Sequence, residues 1–169
     1  VLIKIPVGGA KIIYRYANEL SSLGHTVCII SPKREGNQMY HLIKAGALKI
    51  YDYYHRVENK PYYKTPAGVE HYIISVPNMK YIPDGDVIIA TGWQTAEWVN
   101  KFPLSKGQKF YFIQGMETWL GNSKRVIDTW KMPLQKIVIS QWLKNAADKM
   151  GESALGPISN AIDSNEFFI

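Results

Sequence analysis

Five short segments combine small, polar and aromatic residues at places where strands should end: Gly8-Gly9, Ser31-Pro32, Thr91-Gly92-Trp93-Gln94, Gln114-Gly115-Met116-Glu117 and Ser140. Ligands of an open parallel sheet bind in the crevice beyond the carboxyl ends of its strands, where helix N-termini also point, so these segments are the candidates for chemistry. Two glycines before a helix let a bulky anion reach backbone N–H groups and a helix dipole worth about half a charge. A plain tight turn is the competing reading of Gly8 and Gly9. Thr91, Gly92 and Trp93 have the types that line a sugar-sized pocket, because an indole stacks on the apolar face of a pyranose while neighbouring donors hold its hydroxyls. Trp93 is expected before the first helical turn, as a ligand contact, and Trp98 in the core beside Val99. Glu117, with Gln114 at the same exit, suits a base or a hydroxyl anchor, and equally a carboxylate stabilising a helix N-terminus. Ser140 is expected first as an N-cap contributing about 1 kcal/mol and second as a ligand contact.

Several chemistries are excluded by what is missing. Neither G-x-G-x-x-G nor G-x-x-x-x-G-K-[ST] occurs, and Ser31-Pro32 stands where a dinucleotide site needs an acidic residue. No G-x-S-x-G elbow occurs. His25, His41, His55 and His71 are scattered without an i,i+4 pair or a neighbouring Cys, so no zinc site is expected. Cys28, the only cysteine, lies in the apolar run Val27-Cys28-Ile29-Ile30 and reads as a small buried strand residue in a reducing compartment.

The elements that must position these segments follow from periodicity. Residues 1–5 read as a buried strand, 6–9 as a turn and 10–23 as a helix with Ile12, Ile13, Tyr16, Ala17, Leu20 and Leu23 on one face. Gly24 is its C-cap, and 26–30 is the next strand, completing a parallel crossover unit. Beyond Pro32 the pattern gives a charged loop, a short helix near 39–44 and a hairpin of strands 48–54 and 69–76, with turn chemistry at 59–61 and 65–68. Clean alternation then runs through strand 86–90, helix 94–101, strand 109–113, helix 119–130, strand 136–139 and helix 141–150, whose inward residues are Trp142, Leu143, Ala146, Ala147 and Met150. Residues 153–169 read as an extended exit. This is an α/β chain with a Rossmann-like parallel sheet covered by helices on both faces.

A chain of 169 residues with 46% hydrophobic and 20% charged residues can bury roughly 70% of its unfolded surface in one domain. That composition excludes disordered and collagen-like chains. No window reaches the length of a membrane span and no signal pattern opens the chain, so a soluble domain is expected. The chain begins inside an apolar run and closes on Phe167-Phe168-Ile169, which reads as a segment of a longer protein. Tyr51, Tyr53, Tyr54, Tyr62, Tyr63, Tyr72 and Tyr81 are seven of its eleven tyrosines and crowd the hairpin region with Arg56, Lys60 and Lys64, a pattern better suited to an edge hairpin than to nucleic acid. The net charge of +6 permits contact with phosphates or an anionic membrane surface, yet no Lys/Arg block makes a nucleic-acid patch.

The motifs, taken in order, resemble the N-terminal domain of GT-B glycosyltransferases, particularly retaining family 4. Gly8-Gly9-Ala10-Lys11, Ala17-Asn18-Glu19-Leu20 and Leu23-Gly24-His25-Thr26-Val27 are similar to that family's Gly-Gly loop, amphipathic helix and L-x-x-x-G-H-x-V opening. The run from Pro83 to Trp93 resembles its P-x-x-D-[VI] strand and loop, Ile139-Ser140-Gln141-Trp142-Leu143 its [VI]-S-x-[WF]-L segment, and Asn160-Ala161-Ile162-Asp163 with Phe167 its N-G-[IV]-D…F signature. Ala161 replaces the usual Gly, and Gln114-Gly115 stands where many relatives carry His, so no catalytic His carries over.

The resemblance implies an acceptor-side domain over 1–159 and, from 160, a linker to a C-terminal donor-binding domain. There the nucleotide sugar and a pair of glutamates eight apart would reside; no two glutamates here have that spacing. It implies that Gly8 and Gly9 come near the donor diphosphate, and that Thr91, Gly92, Trp93, Gln114, Glu117 and Ser140 face the acceptor. The implied reaction moves a hexose or deoxyhexose to a glycan or lipid-linked acceptor of polysaccharide assembly, in the cytoplasm or peripheral to the membrane, without a metal or other cofactor. Two other classes stay open: a non-catalytic glycan- or nucleotide-sugar-binding module, and a nucleotide-binding oxidoreductase fragment.

Overall fold

Runs of Val, Ile and aromatic residues separated by amphipathic segments leave little choice but strands buried between helices. The computed structural model describes residues 8–33, 63–75, 79–118 and 123–161. The expected strand at 1–5, helix at 39–44, strand at 48–54 and turn at 59–61, together with the start of the 119–130 helix and the residues from 162 on, lie outside them. Among the described residues the chain is α/β, with parallel strands in two sheets and four α-helices. Its contacts divide it into two compact units, Val1–Tyr81 and Ile82–Ile169.

In the first unit α1 (Gly8–Ser22) is followed by β1 (Val27–Lys33) and β2 (Val69–Ser75), which pair in parallel from Val27↔Val69 to Lys33↔Ser75. The helix ends as expected: Gly24, at φ +90, donates to the Ser21 carbonyl at 3.0 Å, and His25 to that of Leu20 at 3.1 Å. This double closure satisfies two carbonyls that have no partner further along the helix. Its inward stripe is Ala10, Tyr14 and Ala17, the last two packed with Ile29 and Val69, rather than the expected stripe through Tyr16 and Leu23, which are exposed. The Tyr14 ring explains the rotation. It lies 5.6 Å from Tyr63 and edge-on to His71 at 6.0 Å, filling the space between helix and sheet.

Two further expectations change here. Ser31-Pro32 does not end β1, which runs on to Lys33, because a proline costs a strand only one donor and its fixed φ is compatible with extended backbone. Val69–Ser75 is a strand as expected, but its described pairing is parallel to β1, not a hairpin. The turn that launches it does form, with Val69 N–H donating to the Pro66 carbonyl at 3.2 Å.

The second unit holds β3 (Val87–Ala90), α2 (Trp93–Lys101), β4 (Gln108–Ile113), α3 (Ser123–Trp130), β5 (Gln135–Val138), α4 (Gln141–Lys149) and β6 (Ala154–Leu155). Its strands are parallel in the order β3-β4-β5-β6, so each step along the sheet is one strand–helix–strand crossover. Tyr111, Phe112 and Ile113 are all buried though consecutive residues face opposite sides, so β4 is covered on both faces. Short β6 replaces the extended exit expected there; Ala154 pairs with Lys136 and is itself buried, which gives this end a place in the core.

Candidate functional site

The exits of β3, β4 and β5 lie on neighbouring strands, so Thr91-Gly92, Gln114–Glu117 and Ser140 share the carboxyl edge of the second sheet. Gly8 and Gly9 belong to the first unit. They are the opening residues of α1 rather than a turn before it.

At the start of α2 the chain answers its own donors. Thr91 and Gly92 N–H both donate to Thr95 Oγ1 at 3.0 Å, and that hydroxyl donates to the Gly92 carbonyl at 2.8 Å. The N–H of Trp93 donates to Glu117 Oε2 at 3.3 Å, so a side chain leaving β4 reaches across to the helix that follows β3. Glu117 holds this position from a left-handed backbone, φ +49, uncommon for a residue with a Cβ. Burial raises its pKa above the ordinary glutamate range, and the Trp93 hydrogen bond offsets part of that rise. Of the two roles expected of Glu117, the structure shows the second: its carboxylate holds a helix start, that of α2 across the strand edge.

The sign of the resulting pH dependence is definite. Above the unfolded value of about 4.3 and below the raised folded value, the folded chain keeps a proton that the unfolded chain has lost, so wild-type stability falls as pH rises through that window. Glu117→Gln removes the charge and keeps an acceptor for Trp93. Urea midpoints measured from pH 4 to 7 are expected to show the variant gaining on wild type with rising pH; parallel curves would mean the carboxylate is not penalised by burial.

Trp93, expected before the first helical turn as a ligand contact, lies inside the helix and is buried. It is the first residue of α2 and only 8% exposed, and the Arg125 guanidinium lies 5.0 Å from its ring centroid. Arg125 is fixed there by two bonds of 2.5 and 2.6 Å to Glu97, so a ring face is already covered. Trp98, assigned to the core, is half-buried. Trp142, also expected inward, is 57% exposed in the first turn of α4, while Leu143 and Ala147 supply that helix's buried face.

Ser140 occupies the N-cap position of α4 with extended backbone, but its side chain makes no cap bond; Oγ is buried without a hydrogen-bond partner among the described residues. The cap contribution expected of it is therefore not formed. Gln114, half-buried, leaves β4 beside the β5 exit, since Ile113 pairs with Val138.

Two groupings escaped sequence reasoning. Gln94 carries its amide oxygen to the edge of Gly92, near the Glu117 carboxylate. In the first unit Ser31 Oγ lies 2.9 Å from His71 Nε2 and Thr65 Oγ1 3.4 Å from Nδ1, and burial lowers the histidine's pKa. The alternation Val69-x-His71 signals that His71 shares the face of Val69, but not which hydroxyls meet it. Burial, with the Glu70 charge, pushes the Cys28 thiol up to about 11, which fits an inert strand cysteine. Among the described residues no cluster of three His, Cys, Asp or Glu side chains could hold a metal ion, and no helix is long and apolar enough to cross a membrane. Against known proteins the chain finds no matching family, no matching curated sequence and no matching solved structure.

Proposed function

We propose that the chain is the acceptor-side, Rossmann-like domain of a retaining GT-B glycosyltransferase that transfers a hexose or deoxyhexose from a nucleotide sugar to a glycan or lipid-linked acceptor. The observation that carries this reading is the Glu117 carboxylate, half-buried at the carboxyl edge of parallel strands and bonded across to the start of α2. Carboxylates so placed accept the hydroxyls of a sugar and fix which one points at an incoming donor. The four motif resemblances, in chain order, add a family to that chemistry. A second domain of the same protein would hold the nucleotide and the paired glutamates, with Gly8 and Gly9 toward the diphosphate.

The test is transfer itself: the complete product of the gene, given nucleotide hexoses and deoxyhexoses with glycan and lipid-linked acceptors, is expected to move the sugar with retention. Hydrolysis-free binding without transfer would favour the non-catalytic module, and tight NAD binding the oxidoreductase. Gly9→Asp sharpens the assignment. A carboxylate in the first turn of α1 is electrostatically favourable to the helix, so the fold should survive, while a diphosphate near it would be crowded and repelled. Turnover is expected to drop by about 100-fold or more, the range for losing one well-placed electrostatic contact to a reacting group. Unchanged kinetics would remove this loop from the donor site.

A further inference from the structure

Glycine 92 is not explained by the fold. Its backbone is extended, φ −166 and ψ 162, which any residue adopts, and it stands at an N-cap where Ser, Thr, Asp or Asn would serve the helix better. A Cβ built there meets nothing closer than Gln94 Oε1 and Glu117 Oε2, both at 3.8 Å, and Glu117 Oε1 at 4.0 Å. Those are ordinary contacts. Neither torsion nor packing asks for a missing side chain, and its absence leaves the backbone at Gly92 open to close approach from outside.

The surroundings say what can approach. Thr95 and Glu117 already take up the N–H groups of Thr91, Gly92 and Trp93, so these three donors are not open to a phosphate. The atoms nearest a Cβ built at Gly92 are acceptors, a carboxylate and an amide oxygen, and the space that this missing Cβ leaves is the notch. An anion would be repelled there. A neutral ligand carrying two adjacent hydroxyl donors is complementary, because the carboxylate can accept one and the amide oxygen the other.

We infer that the notch beside Gly92 docks a vicinal diol of the acceptor sugar, with Glu117 and Gln94 accepting its hydroxyl hydrogens and the absent side chain admitting the ring. This rests on the reading of the chain as an acceptor-side domain, and it moves the sugar contact from Trp93 to Gly92, Gln94 and Glu117. Gly92 becomes a specificity-determining position: a sugar lacking one of the two hydroxyls leaves a buried acceptor unanswered and is rejected.

Amide chemical shifts of the chain, titrated with methyl α-D-mannopyranoside and separately with inorganic pyrophosphate, test it. The glycoside is expected to shift the Gly92 and Trp93 amides saturably and pyrophosphate to leave them in place. Gly92→Ala and Gly92→Ser should keep the thermal midpoint of wild type, or raise it for Ser, and weaken glycoside binding by about tenfold, the factor that one ordinary hydrogen bond supplies. Wild-type affinity in both variants, no saturable shift with the glycoside, or a pyrophosphate response at these amides would each overturn the inference. The two proposals fail separately. A gene product that transfers sugar with an acceptor KM unmoved by Gly92→Ala retains the function and loses the notch; glycoside binding without transfer does the reverse.

Discussion

Gly107→Ala is expected to lower the stability of the second unit by about 3–5 kcal/mol, from about 1–3 for the backbone region and a similar cost for overpacking. Gly107 closes the 3₁₀ turn Leu104–Lys106 at φ +111 and ψ 169, a region closed in practice to residues with a side chain. A Cβ there falls 2.7 Å from Val87 N, 2.8 Å from Val87 C and 2.9 Å from Asp86 C. These are backbone atoms at the start of β3, held by the Gln108 N–H donating to the Asp86 carbonyl at 2.8 Å, so they cannot swing aside as a flexible side chain would. The methyl therefore pushes β3 away from β4 where their pairing begins at Val87↔Gln108. In a unit of this size each kcal/mol is worth roughly 4–8 °C, so a fall in the thermal midpoint well above 10 °C is expected. Gly85→Ala is the control: its nearest neighbour is the Val87 carbonyl oxygen at 4.0 Å, and its midpoint should stay close to wild type. Equal midpoints for the two variants would show that the turn rearranges freely.

The second unit was the more legible in the sequence because its apolar runs are short, continuous and separated by amphipathic helices, so β3, β4, β5, α2 and α4 fall within a residue of expectation. What sequence could not supply was the azimuth of single side chains. Trp93 is buried and Trp142, expected inward, is exposed; the Arg125–Glu97 pair that covers Trp93 joins residues 28 positions apart. In α1 the same limitation appears as a rotation of the inward stripe toward Tyr14, decided by Tyr63 and His71 far along the chain. Glu117 and Gly92 were legible as polar and small residues at strand exits; their mutual contact depended on the left-handed turn at Glu117, for which a glutamate gives no signal. Ser140 shows the opposite failure, a residue type suited to capping whose hydroxyl caps nothing.

Glu152→Ala is expected to cost the second unit about 3 kcal/mol, near the lower end of the range for stripping the partner from a buried charge. Lys136 is 5% exposed in the middle of β5, a burial that lysine almost never accepts unpaired. Its ammonium donates to the Met132 carbonyl at 3.1 Å and the Leu134 carbonyl at 3.3 Å, and meets Glu152 Oε2 at 2.9 Å, so three protons find three acceptors. Removing Glu152 leaves the positive charge with two neutral carbonyls in a site that excludes water. The carboxylate is itself 24% exposed, which holds the cost toward the lower end. Lys136→Met should be costly too, since both carbonyls lose their donor and Glu152 its partner. The double variant Lys136→Met/Glu152→Ala, by contrast, has no stranded charge and places an apolar chain beside Tyr111 and Ala154, its neighbours in register on β4 and β6. It should therefore recover most of the loss, leaving a coupling energy of about 2 kcal/mol in a double-mutant cycle read from urea midpoints. Additive single and double effects would mean that Lys136 is held by the carbonyls alone. The same cycle explains why this lysine can sit where the pattern of β5 asks for an apolar residue. Its stem packs as one, and its charge is cancelled by the residue that leads from α4 into β6, so the ion pair ties β6 to the sheet.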